Sequence, residues 1–316
     1  MPDLYEHSVK TMQANQAPSG AYVASPSFPT YRFCWFRDGA FTAYALDLAG
    51  QQASAHGFHG WVARTTTRHA ARIERAIEKA RRDQPLGDDY LHTRYTVEGK
   101  VGAGDWPNFQ TDGLGTWLWA LAEHLRCSGQ SLPPAWETAV DLVARYLAAL
   151  WHLPCYDLWE EHPQHLHPYT LAAIYAGLQA AAELVPGGRP LFADAAGEVK
   201  TFVLCHGVVD GRFCKSVVPP LGTTTGAVPS SAVDASLIGV ATPYRLVSLA
   251  DPLMRATVDR IEADLHHPQG GVYRYRAETY YGGGEWLLLA AGLGWYYAEA
   301  GKGSRAQNLL QWIEVQ

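Results

Sequence analysis

Leu114-Gly115-Thr116-Trp117-Leu118-Trp119-Ala120-Leu121-Ala122-Glu123-His124-Leu125 decides the fold class. Leu114, Trp117, Leu118, Leu121 and Leu125 recur every three or four residues, which gathers them on one face of an α-helix and would split them between the two faces of a strand. The same spacing returns in Phe41, Tyr44, Ala45 and Leu48, in Leu171, Ile174, Tyr175 and Leu178, and in Met254, Val258, Ile261 and Leu265. The last run follows Asp251, a suitable N-cap, with Pro252 in its first turn. Further helices are expected at 4–15, 57–83, 134–152, 191–206, 285–300 and 304–316, and a shorter one near Asp234. The loops between them (17–37, 98–111, 152–167, 209–232 and 268–284) are rich in Gly and Pro, and alternation through 207–218 suggests a small β-hairpin. There is neither β-α alternation nor a linker, so residues 1–316 are expected to form a single all-α domain with its long loops at one end. Alanines at 172, 173, 176 and 180–182 would let helices approach closely, as in a double-layered helical barrel.

Composition narrows the function. Of 316 residues, 47% are hydrophobic and 12% aromatic, enough for a large core. A formal charge of -6 with no Lys/Arg run argues against a nucleic-acid partner. Eleven Trp and seventeen Tyr suit a carbohydrate cleft, where flat apolar faces stack on sugar rings. The chain starts without a basic and apolar leader, and no apolar run is long enough to cross a membrane. Five cysteines at scattered spacings read as buried free thiols of a cytoplasmic protein. His162, His165 and His167 match no zinc spacing, and Gly282-Gly283-Gly284 lacks the lysine of a phosphate loop, so neither metal nor cofactor is expected.

Four loop segments that run into helices share one grammar of aromatics, amides and charges. Tyr31 through Asp38 offers Tyr31 and Trp35 for stacking and the Arg37-Asp38 pair for sugar hydroxyls, although such a pair is also common as a plain helix start. Asp105 through Gly113 carries Trp106 and Gln110. Tyr156-Asp157-Leu158-Trp159-Glu160-Glu161 sets two carboxylates beside an indole, which suits protonation of a leaving oxygen but also suits an acidic cap of the next helix. Tyr273 through Trp286 carries Arg274 and Glu278. Packing against Trp159 and Tyr156 would strip water from Glu160 and keep it protonated.

With these motifs in this order, together with Ser25-Pro26-Ser27 and Val233-Asp234-Ala235-Ser236, the chain resembles the glucoamylase family (family 15) of glycoside hydrolases from about Leu4 to its last residue. The resemblance implies an (α/α)6 double helical barrel, or toroid, and an inverting exo-acting α-glucosidase. It implies that Glu160 is the general acid and that Glu161 contacts the sugar on the leaving-group side. Arg37 and Asp38 would grip the terminal glucose, walled by Tyr31 and Trp35, while Trp106 and Gln110 line the cleft and help hold Glu160. Trp159, beside the acid, would bind substrate, Arg274 would bridge two sugars, and Glu278 would be an acidic substrate contact. Isomaltose or short maltooligosaccharides are the expected substrates.

An inverting hydrolase also needs a second carboxylate to activate water. The family carries it between the eleventh and twelfth barrel helices, and 304–316 reads as the eleventh, with Ala306, Leu309, Leu310 and Ile313 on its buried face. The base is therefore expected beyond residue 316, and neither Glu278 nor Glu285 is assigned to that role. A barrel truncated before its twelfth helix would hydrolyse weakly and self-associate along an open seam. Two other functions compete: a sugar-binding or regulatory pseudoenzyme that keeps the cleft, and an inverting phosphorylase, which the lack of an anion cluster disfavours.

Overall fold

Eleven α-helices and six two-residue strands make up the described residues, 3–185, 190–219 and 227–316 of a computed structural model. The expected all-α class is what the chain adopts. Its residues group into two units, Met1–Pro163 with Ala173–Glu198, and Gln164–Ala172 with Val199–Gln316.

The first unit contains α1 (Leu4–Ala14), α2 (Phe36–Leu48), α3 (Gln52–Arg68), α4 (Ala70–Arg81), α5 (Asp112–Ser128), α6 (Pro134–Leu150) and, from Ala173 on, most of α7 (Pro168–Leu184). The stripe anticipated on α5 is buried in full, and Trp119 is buried as well, so this helix is apolar almost all round. On α2 the core face differs from the expected one. Phe36, Ala40, Ala43 and Leu46 are buried, whereas Leu48 is 65% exposed and Phe41 and Tyr44 lie half-buried against the Trp119 ring. The small side chains turn inward because α2 packs close to α3: a Cβ at Gly39 would overlap the Phe58 ring. The 57–83 helix is two helices, α3 and α4, broken at His69.

α5 and α7 meet through glycine. A Cβ on Gly177 would lie 2.7 Å from Gly115 Cα, and one on Gly115 would overlap the Ala173 carbonyl. Close helix approach was expected of the alanines; these two glycines bring the backbones nearer still. Strand β1 (Cys34–Trp35) pairs antiparallel with β2 (Arg94–Tyr95), which sets Trp35 opposite Arg94.

In the second unit lie the end of α8 (Pro190–His206), α9 (Pro252–Leu265), α10 (Leu287–Glu299) and α11 (Gly303–Glu314). The expected hairpin is there as β3 (Val208–Val209) paired with β4 (Arg212–Phe213), and β5 (Val217–Val218) pairs with β6 (Val228–Pro229). The short helix near Asp234 is a 3-10 turn, Ala235–Val240, capped by the Asp234 carboxylate accepting from Ser236 N. Asp251 caps α9 through Leu253 N at 2.8 Å. Within 209–232, residues 220–226 lie outside the described residues.

Candidate active site

Four pieces of the first unit bring its site residues together: the turn at Pro29–Tyr31, β1, the loop that ends at α5, and the loop after α6. Asp157 shapes the last of these. Its buried Oδ1 accepts from both Trp159 N (2.9 Å) and Glu161 N (2.8 Å), and its own backbone bonds to Glu160 N and Glu161 O. This closure holds Glu160 at φ +67°, a left-handed conformation that a non-glycine residue enters only at a cost. The side chain is thereby presented to three donors. Trp106 Nε1 (2.8 Å), Trp35 Nε1 (3.1 Å) and Gln110 Nε2 (3.1 Å) all converge on one oxygen, Glu160 Oε1.

A chain of polar contacts stands behind that oxygen. The Gln110 amide is fixed in orientation because its Oε1 accepts from Arg37 Nη1 at 3.0 Å, so its NH2 must face Glu160 and the Pro107 carbonyl. Arg37 is held in turn by Asp112 Oδ2 at 2.8 Å. Asp112 is a fully buried first-turn residue of α5 that anchors this arginine. Trp106 is fixed from its other face by Arg94, whose guanidinium carbon lies 4.0 Å from the indole and 4.6 Å from the Phe33 ring. Burial pulls the Arg94 pKa down, partly offset by the nearby Glu160 charge.

The remaining residues of this unit vary in accessibility. Tyr31 lies half-buried with its ring 6.0 Å from Trp35 and 6.1 Å from Trp106. Trp35 is only 4% exposed, so little of its ring is left for a ligand. Asp38 keeps 45% of its side chain exposed and lies 3.9 Å from Arg37. Desolvation by the surrounding protein nevertheless raises its pKa, against the lowering effect of Arg37 and with a further push from Glu160. Trp159 is half-buried, and Glu161 is 30% exposed with Oε2 3.9 Å from His162 Nε2.

Arg274 and Glu278 belong to the second unit and form a cluster there. Glu278 Oε1 pairs with Arg274 Nη2, and its Oε2 accepts from Trp286 Nε1 at 3.2 Å. The buried Arg274 lies 5.3 Å and 5.1 Å from the Tyr280 and Trp286 rings. Lys215 sits 3.1 Å above the Tyr275 ring and 3.3 Å from Asp234. Glu285 pairs with His267 at 3.0 Å.

The sequence profile of glycosyl hydrolases family 15 matches residues 2–310. The chain belongs to this family. It is 38% identical over 321 residues to the isomaltose glucohydrolase of Kribbella flavida, across 99% of this chain and 80% of that one. An uncharacterized glycosyl hydrolase of Methanocaldococcus jannaschii is 30% identical, across 88% of this chain and 42% of its own. Among solved structures, a glycosidase variant in complex with glucose superposes with a TM-score of 0.90 at 38% identity, covering 99% of this chain and 82% of that one. The glucoamylase of Saccharomycopsis fibuligera, at 14% identity and TM-score 0.68 over 96% of this chain and 73% of its own, shares the fold. The double helical barrel of the glucoamylases is thus the fold of this family 15 glycoside hydrolase.

Asp112, Asp157 and Arg94 are site residues that sequence reading passed over. Asp157 lay inside the quoted stretch, and an Asp side chain that can accept from the backbone N–H two residues on is the signal for such a turn. Arg94 carried no local signal, because only the β1–β2 pairing brings it to Trp106.

Proposed function

We propose that this glycoside hydrolase releases glucose from the non-reducing ends of short α-glucans, isomaltose foremost, with inversion at the anomeric carbon and with Glu160 as general acid. The observation that supports it is the convergence of three N–H donors on Glu160 Oε1. These three donors saturate Oε1, so the oxygen that would carry the proton to be transferred is Oε2. Among the described residues Oε2 has no hydrogen-bond partner, which leaves it to protonate a glycosidic oxygen. Asp38, with 45% of its side chain exposed, would accept hydroxyls of the terminal sugar. Arg37, already bonded to Gln110 and Asp112, would orient that machinery as much as touch the sugar, and half-buried Tyr31 and Trp106 would offer their ring surfaces. Glu278 and Glu285 are engaged by Arg274 and His267, so neither is assigned as the water-activating base. The preference for isomaltose rests on the Kribbella flavida relative.

The test is glucose release from isomaltose and maltose, with the first anomer identified by proton NMR. β-Glucose should form first. Glu160→Gln should lower turnover by about 10²–10⁴-fold on these poor leaving groups, and Glu161→Gln far less. Undiminished turnover in Glu160→Gln would refute the acid assignment, and α-glucose as first product would refute inversion. Tight glucose binding without hydrolysis of either sugar would point instead to a sugar-binding protein with the same cleft.

A further inference from the structure

α2, α3 and α5 also carry a cluster that the sugar chemistry does not use. Asp47, His59 and His124, one from each helix, are buried, and one donor atom from each lies within 4.8 Å of the other two. His124 Nδ1 stands 2.8 Å and 3.0 Å from the two Asp47 oxygens. The His59 ring lies 4.9 Å from the His124 ring. Both nitrogens of His59, and Nε2 of His124, are buried with no hydrogen-bond partner. Interiors rarely leave polar atoms unsatisfied, and here three imidazole nitrogens are left so at one spot. Phe58 and Trp136 wall it, and the exposed His56 stands at its rim, 5.7 Å from His124.

We propose that Asp47, His59 and His124 bind one first-row divalent ion of the Zn(II) type, which ties α2, α3 and α5 together. Two imidazole nitrogens and one carboxylate form a donor set suited to zinc, whereas calcium and magnesium prefer all-oxygen shells. A tetrahedral site with bonds near 2.0–2.1 Å spaces its ligand atoms by roughly 3.3 Å. The His124–Asp47 pair is already slightly closer than that, so the ion replaces their shared proton while His59 swings inward. Ten residues of α2 separate Asp47 from Arg37 and twelve of α5 separate His124 from Asp112, about 15–18 Å of helix, so the ion is structural and does not reach the sugar site.

Because the site is buried, the full chain is refolded from denaturant with Zn(II), desalted and assayed for bound metal. About one equivalent should remain, and the melting temperature should rise against a refolding done with chelator. His59→Phe keeps the ring volume and should retain less than about a tenth of an equivalent at unchanged far-ultraviolet circular dichroism. The cobalt-loaded native chain supplies a second readout should that variant misfold: visible absorption of tetrahedral intensity supports the site, and weak octahedral bands refute it. No retained metal in the native chain, or a full equivalent in folded His59→Phe, would likewise overturn the proposal.

Discussion

Asp157→Ala should disable the enzyme without removing any group that touches substrate. In the native loop the Asp157 Oδ1 takes two backbone N–H donors while Glu160 is held at φ +67°. A hydrogen bond to a charged acceptor contributes about 1.5–3 kcal/mol, and a non-glycine residue in the left-handed region costs about 1–2 kcal/mol. Removing the carboxylate frees the loop to relieve that backbone strain, and a net bias of about 2–4 kcal/mol toward relaxed conformers is reasonable after water takes over part of the bonding. At 1.36 kcal/mol per tenfold, kcat should fall on the order of 10²-fold. KM should change little, because Asp38, Tyr31 and Trp106 stand on other segments. Asp157→Asn separates geometry from charge: both donors meet the same oxygen, which an amide carbonyl can replace, so this variant should keep most of the activity. Steady-state glucose release from isomaltose reads both numbers. An Asp157→Ala enzyme with native kcat, or an Asp157→Asn enzyme as impaired as the alanine variant, would show that this turn does not position Glu160.

Three further outcomes are expected. Gly115→Ala drives a methyl into the Ala173 carbonyl of α7 and should cost about 1–3 kcal/mol or more, read as a lowered midpoint in urea. Asp38 has a folded-state pKa above its unfolded value, so its ionised form opposes folding: the penalty is absent below the unfolded pKa of about 3.9 and grows as pH rises through the folded one. Asp38→Asn should therefore melt higher than the native chain at pH 7, with the two curves meeting near pH 3, while sugar binding is lost. Among the thiols, exposed Cys205 and half-buried Cys127 should react with an aromatic disulfide in the native state. Burial pushes Cys155 up to about 12 and Cys214 to about 11, and raises Cys34 well above its ordinary range, so these three should react only after unfolding.

Helix periodicity made most of the fold legible, since an apolar stripe at three- and four-residue spacing has one structural meaning. It misled on α2, where bulk was taken for burial and the inward residues proved to be Ala40 and Ala43. It also ran α3 into α4, because the break at His69 carries neither glycine nor proline. At the site, Trp106 and Gln110 were linked to Glu160 through the family resemblance alone; nothing local says that their donors meet on one oxygen. The Trp35 donor and the Arg94 guanidinium depend on a two-residue strand pair between distant segments. The thiol reading was right that all five are free and mistaken in burying Cys205. The buried imidazoles escaped notice because His59 and His124 lie on different helices, with no short spacing between them.

The left-handed backbone at Glu160 has a consequence for anyone who improves this protein by selection. Glycine and asparagine sit in that region more comfortably than glutamate, so the chain's own energetics favour replacing the very side chain proposed as the general acid. A library sorted only for heat resistance will enrich Glu160→Gly and Glu160→Asn, and its winners will be sturdier and silent. Any such screen must score glucose release alongside survival, or hold codon 160 out of the randomised set.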